Sequence, residues 1–344
     1  MALNTIIYGA SGYTGAELLR LLAGHPEVRI HALTADSNAG RSVGDLFPHL
    51  SALDLPTLST IADTDVTDAD VLFCALPHGT TQRAIAAALE AKPTLKVVDL
   101  SADFRLRDAD AYAHWYGHEH LALPLQDEAV YGITELYRDG VEGARLVANP
   151  GCHPATSLLA LVPLVSAGVV EPDTITVTSA TGTSGAGRGA KVGMLFSEIS
   201  EGAHAYGVGR HRHTAEFDQE LSKAAGHDVR VTFTPLLCPM NRGIYATITA
   251  RGDAAAMHKV LIDAYADEAF VEVLPLGEAP QSRHVRGSNL ARIGVVPDRT
   301  PGKAVILATT DNLMKGASSQ AVQNMNAMCG LPETMAVPRL AVFP

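Results

Sequence analysis

Apolar residues in the first hundred positions come in short unbroken runs. Asn4–Tyr8, Val28–Leu33, Asp70–Ala75 and Lys96–Leu100 each read as a buried strand. Between them the period lengthens. Over Gly15–Leu22 the apolar residues Ala16, Leu18, Leu19 and Leu22 share one helical face, and Gln82–Ala91 is an alanine-rich helical stretch. Continuous apolar strands alternating with helices predict an α/β fold, a doubly wound parallel sheet covered on both faces.

The texture changes near Ala148. A helix is predicted from about His153 to Ala167, although Pro163 lies inside it. Stretches rich in β-branched residues follow: Thr174–Ala180, Val229–Pro235, Gly243–Ala250 and Ala304–Thr309. With fewer helices between them, they predict an α+β domain with a mainly antiparallel sheet. A last helix, about Lys315–Cys329, is expected to return to the first domain. The division expected is 1–148 plus 312–344 for one domain and 149–311 for the other.

Composition narrows the class. The 344 residues suit two domains, and 47% hydrophobic with 18% charged residues is a globular balance. A net charge of −11 is opposite in sign to a nucleic-acid footprint, so no nucleic-acid partner is expected. It leaves room for a small anionic substrate held by a few arginines. Met1–Tyr8 runs straight into a strand without a basic leader, and no apolar run is long enough to span a bilayer. Cys74, Cys152, Cys238 and Cys329 are scattered without a C-x-x-C pair, so neither a metal cluster nor a disulfide framework is expected. The expectation is a reduced, cytoplasmic protein with no membrane partner and no metal.

Gly9-Ala10-Ser11-Gly12-Tyr13-Thr14-Gly15 joins the first strand to the first helix. This G-x-x-G-x-x-G pattern is a variant of the dinucleotide fingerprint, in which glycines admit a pyrophosphate to a helix N-terminus. Beyond the second strand, Asp36 suits a ribose 2′-hydroxyl, whereas Ser37, Asn38 and Arg41 suit a 2′-phosphate. The residues alone leave that choice open.

Asn149-Pro150-Gly151-Cys152-His153-Pro154 is turn chemistry followed by a helical pattern. Cys152 therefore falls at a helix start, where the dipole and N–H groups favour a thiolate nucleophile and a developing oxyanion. Cys74, Cys238 and Cys329 lie in or beside apolar sequence and read as structural. His211-Arg212-His213, after Gly207 and Gly209 and before a helix Thr214–Ala225, offers a general acid or base, or simply helix-capping residues.

These segments, with Thr183-Ser184-Gly185-Ala186-Gly187-Arg188 and Asp311-Asn312-Leu313-Met314-Lys315-Gly316-Ala317, resemble the N-acetyl-γ-glutamyl-phosphate reductase family, which is related to aspartate-semialdehyde dehydrogenase. The resemblance spans essentially the whole chain, with the motifs in the family's order. It implies a Rossmann domain that binds NADP(H) through Gly9, Ser11, Gly12, Tyr13, Thr14, Gly15, Ser37, Ser184, Gly185 and Asn312. It implies Cys152 as nucleophile, His211 as acid/base, and His213, Arg105, Arg107 and Arg188 as candidates to hold substrate. It further implies an acyl-phosphate substrate, inorganic phosphate as product and a homo-oligomer, dimer or tetramer. His153 stands where many relatives are expected to carry an aromatic such as tyrosine. Two alternatives are a carrier-linked aminoadipyl- or glutamyl-phosphate reductase of lysine biosynthesis and a non-catalytic dinucleotide-binding sensor.

Overall fold

The computed structural model describes residues 2–343. Seven strands, β1 (Leu3–Tyr8), β2 (Val28–Thr34), β3 (Leu58–Ser59), β4 (Val71–Cys74), β5 (Lys96–Asp99), β6 (Val130–Tyr131) and β7 (Leu146–Ala148), form one sheet in the order β3-β2-β1-β4-β5-β7-β6. All its pairs are parallel. Ile6, Ile7, Leu72, Phe73, Val97 and Val98 are fully buried although neighbours in sequence point to opposite faces. Burial on both faces is the reason these strands read as unbroken apolar runs. The strand order reverses between β1 and β4, and the glycine loop leaves β1 at that switch point, where open α/β sheets bind ligands.

The chain divides into two units: Met1–Pro150 with Ala317–Val337, and Gly151–Gly316 with Pro338–Pro344. In the first, the helix Ser319–Met328 has all ten residues buried. Two of its asparagines bond within the unit: Asn326 Oδ1 bonds His25 Nε2 at 2.9 Å, and Asn324 donates to Gly132 O at 2.9 Å and Asn149 Oδ1 at 3.0 Å. The single helix expected over Lys315–Cys329 is instead a wide π-type turn, Met314–Ser318, followed by this helix. The cause is Asp311, whose Oδ1 takes the Leu313 and Met314 N–H groups while its carbonyl takes that of Gly316.

The second unit holds β8 (Glu171–Thr181), β9 (His204–Ala205), β10 (Thr232–Leu237), β11 (Ile244–Arg251), β12 (Val271–Val273), β13 (Ala291–Pro297) and β14 (Lys303–Thr310), ordered β12-β13-β14-β11-β8-β10-β9. The sheet is mainly antiparallel, with β12–β13 and β8–β10 as parallel pairs. β10 starts later than the apolar run suggests. Val229 N–H goes to Ser222 Oγ and Val231 N–H to Asp218 Oδ1, so helix side chains take the donors that a strand would give its neighbour. The final residues also join this unit: Asn289 N–H donates to Pro338 O and Val342 N–H to Arg286 O, both at 2.8 Å.

The helix Cys152–Ser166 packs on this sheet with Leu158, Leu159, Leu161 and Leu164 fully buried. Pro163 is tolerated inside it for a specific reason. Proline brings no N–H to the carbonyl four residues earlier. That carbonyl, on Leu159, receives the buried Tyr265 hydroxyl instead.

Candidate active site

The glycine loop of the first unit is tied to the sheet by backbone bonds. Gly9 and Ala10 N–H groups donate to Thr34 O at 3.1 and 2.8 Å, tying the loop to the end of β2. Gly9 has φ +82°, and a Cβ there would lie 2.5 Å from Ala75 O. The turn therefore admits only glycine at this point. Gly12, the N-cap of the helix Tyr13–Leu22, is different. A Cβ at Gly12 would meet nothing closer than 3.8 Å, so protein packing does not demand this glycine. Open space at a helix N-terminus fits a pyrophosphate brought close to backbone.

Beyond β2, Asp36 Oδ1 accepts the Ile61 N–H at 3.0 Å, which engages that carboxylate with backbone. Ser37 and Arg41 are exposed around Asn38: Asn38 Nδ2 donates to Ser37 Oγ at 3.2 Å and Arg41 Nη1 to Asn38 Oδ1 at 3.3 Å.

In the second unit, Cys152 is the first residue of its helix and Gly151 the extended N-cap. Gly151 N–H donates to Glu216 Oε2 at 2.9 Å, and a Cβ on Gly151 would lie 2.5 Å from His213 Nε2. Ligand atoms of Cys152, His153 and His213 all lie within 4.8 Å of one another. Glu216 is fully buried with Oε1 4.0 Å from His213 Nε2. The two residues are three apart on one helix and so share a face.

The other histidines pack around this group. His153 is 1% exposed, with Nδ1 bonded to Ser179 Oγ at 2.7 Å and Nε2 to the Tyr206 hydroxyl at 3.0 Å. Burial, aided by His211, pushes its pKa down to about 3. His211 Nδ1 accepts the His213 N–H at 3.2 Å, and its ring sits 5.5 Å from Phe233 and 4.7 Å from His213. Burial, with Arg212 adding like charge, lowers its pKa to about 4. Both rings are therefore neutral near pH 7. Tyr206 is held protonated, first by burial and then by Cys152 nearby.

The remaining candidate residues separate into pinned and exposed. Ser184 Oγ donates to Asn241 O at 2.7 Å, while Asn312 accepts the Gly243 N–H at 2.8 Å and donates to Ser184 Oγ at 2.9 Å. Asn312 and Ser184 thus fasten the Thr183–Ala186 turn, with Gly185 exposed on it. Arg105, in the first unit, is buried, with Nε donating to Asn149 O at 2.8 Å and Nη2 to Leu100 O at 3.2 Å. These bonds brace the ends of β5 and β7. Arg107 and Arg188 are exposed.

Glu216 and Tyr206 do not stand out in the sequence. The i, i+3 spacing from His213 was a signal for Glu216, hidden because a carboxylate in the first turn of a helix is ordinary. Nothing in the sequence marks Tyr206.

Fold and site define an oxidoreductase of the semialdehyde dehydrogenase class. Residues 4–144 match the semialdehyde dehydrogenase NAD binding domain, and residues 152–312 match the semialdehyde dehydrogenase dimerisation domain. The same fold occurs in aspartate semialdehyde dehydrogenase II from Vibrio cholerae, at TM-score 0.73 and 18% identity over 96% of this chain and 99% of that one. It also occurs in aspartate semialdehyde dehydrogenase with NADP from Candida albicans, at TM-score 0.72 and 17% identity over the same shares. The N-acetyl-gamma-glutamyl-phosphate reductase of Afipia carboxidovorans is 58% identical over 98% of this chain and 97% of its own length. That of Rhodospirillum rubrum is 55% identical over 99% of each. The chain belongs to the N-acetyl-gamma-glutamyl-phosphate reductase family, and it is an enzyme with an NAD(P)-binding Rossmann-type domain. Among the described residues no helix is long and apolar enough to cross a membrane.

Proposed function

We propose that this chain reduces N-acetyl-γ-glutamyl phosphate to N-acetylglutamate 5-semialdehyde with NADPH, as a step of arginine biosynthesis in the cytoplasm. The observation that carries the reading is a cysteine opening a helix with His213 beside its sulfur and buried Glu216 behind that histidine. Such a group makes an activated thiolate.

Cys152 Sγ attacks the acyl carbon, the C–O bond to phosphate breaks, and inorganic phosphate leaves with a thioester in place. Backbone N–H groups at the helix start face the oxyanion of each tetrahedral stage. The Gly9–Gly15 loop, with Ser37, Asn38 and Arg41, would hold the dinucleotide, which would supply one hydride. His213 takes the thiol proton at the start and returns it as the C–S bond breaks and the aldehyde departs. His213 suits this better than His211, because its ring nitrogen lies within 4.8 Å of the Cys152 sulfur, while burial lowers the basicity of His211. Arg107 and Arg188, both exposed, are the candidates for the phosphate and carboxylate of the substrate, and Arg105 braces β5 and β7. The dimerisation-domain match supports a homo-oligomer.

The test is the reverse reaction: N-acetylglutamate semialdehyde, phosphate and NADP, followed at the nicotinamide absorbance band. Phosphate-dependent reduction of NADP that is lost in Cys152→Ala supports the reading. Activity only with aspartate semialdehyde or a carrier-linked aldehyde moves the substrate. Silence with every aldehyde, despite NADP binding, overturns it.

A further inference from the structure

We propose that Cys152, His153 and His213 also form a capture site for a soft divalent cation such as zinc. The linear sequence hides it: Cys152 and His153 are adjacent, and His213 comes from another helix. The fold brings one sulfur and two imidazole nitrogens within 4.8 Å of one another. Thiolate and neutral imidazole are the donors that zinc selects. Tetrahedral zinc with ordinary Zn–S and Zn–N bonds holds such donors roughly 3.5 Å apart, so each pair closes by about 1.5 Å or less.

The surroundings match a metal's needs in four further respects. His153 Nδ1 is fixed by Ser179 Oγ at 2.7 Å, which orients the ring through the nitrogen that a ligating histidine does not use. Coordination through Nε2 exchanges its 3.0 Å bond to the Tyr206 hydroxyl for the metal and leaves that hydroxyl at hand as a fourth donor. Glu216 Oε1, 4.0 Å from His213 Nε2, is a carboxylate placed behind a ligand. Cys152 and His213 are half-buried, so the cation has a route in.

The site is distinct from a resident cofactor, because it consumes the nucleophile. A captured cation occupies the Cys152 lone pair that attacks the acyl phosphate, so binding and turnover exclude one another. That consequence rests on the thioester chemistry proposed above; the metal site itself does not.

Cobalt(II) separates the two. The reduced wild-type protein, titrated with cobalt chloride, is expected to develop the near-ultraviolet sulfur-to-cobalt charge-transfer band and strong visible bands of a tetrahedral site at one equivalent per chain. Zinc is expected to displace it. Cys152→Ala should lose the charge-transfer band, and His153→Gln and His213→Gln should each weaken cobalt binding at least about tenfold. Circular dichroism of each variant reports its folding. No charge-transfer band in the folded wild type overturns the site. A band that keeps wild-type affinity in both histidine variants overturns it as well, since a lone thiolate then suffices. A band that behaves as expected while zinc leaves turnover untouched upholds the site and overturns instead the role of Cys152 as nucleophile.

Discussion

Gly151 and Glu216 are joined by a 2.9 Å hydrogen bond from the glycine N–H to the buried carboxylate, across 65 residues of chain. The bond fixes the start of the Cys152 helix against the helix that carries His213. It works because residue 151 has no side chain, since a Cβ would press 2.5 Å from His213 Nε2 and 2.8 Å from Glu216 Oε1. Gly151→Ala is therefore expected to displace the His213 ring and cut kcat by about 100-fold or more. Steady-state kinetics on the folded variant checks this, and an unchanged kcat would show that the ring position is unimportant.

The two half-buried histidines, His211 and His213, should part company. His213→Asn is expected to lower kcat by roughly 10²–10⁴-fold, the range of a general acid–base group. His211→Asn removes a ring that is neutral and packed against Phe233, and it should cost kcat far less. The pH dependence of Cys152 alkylation by iodoacetamide gives an independent readout: its inflection should move in His213→Asn and stay in place in His211→Asn. The reverse pattern would return the role to His211.

Acid stability follows from the buried rings. His153 and His211 titrate near 6.5 when unfolded, but at about 3 and about 4 when folded. Between those limits the unfolded chain binds more protons. The stability is fully present above pH 6.5 and is lost as pH falls toward 4 for His211 and toward 3 for His153. For His153 the loss is on the order of a few kcal/mol. Urea midpoints measured at pH 7.5 and pH 4.5 should therefore differ less in His153→Phe than in wild type; equal differences would mean that His153 is protonated in the fold.

Tyr265 and Pro163 form a linked pair through the Leu159 carbonyl. Tyr265→Phe should destabilise the protein by about 1–3 kcal/mol, the cost of leaving that buried carbonyl bare. Pro163→Ala in the same chain restores a helical N–H to it. The double variant is thus expected to recover part of the loss, and a strictly additive pair in denaturant melts would refute the link.

Arg41 bears on cofactor choice. Arg41→Ala should raise KM for NADPH about tenfold, the worth of one charge-assisted contact, and leave KM for NADH nearly unchanged. A parallel rise for both dinucleotides would place Arg41 outside the 2′-phosphate site.

Much of this was legible in the residues. The first sheet announced itself because strands buried on both faces carry an uninterrupted apolar code, and Gly9 and Cys152 stood at turns where only their chemistry made sense. What sequence patterning lost was what tertiary structure supplies. The apolar run does not mark the start of β10, because Asp218 and Ser222 capture its backbone donors. The helical pattern of Lys315–Cys329 does not show that one aspartate folds Met314–Ser318 into a wide turn. The histidine next to the sulfur was ambiguous because His211 and His213 are two residues apart, and only the helix beginning at His213 decides which ring turns toward Cys152.

The tether from Gly9 and Ala10 to the Thr34 carbonyl has a kinetic meaning. A loop bonded to the sheet has little disorder to surrender on binding a dinucleotide, so recognition is expected to proceed by docking onto a formed surface. The amides of Gly9 and Ala10 should then exchange slowly with deuterium in the ligand-free protein, nearly as slowly as those of β1. Cofactor would leave that protection almost unaltered and report itself elsewhere, in the exposed turn around Ser37.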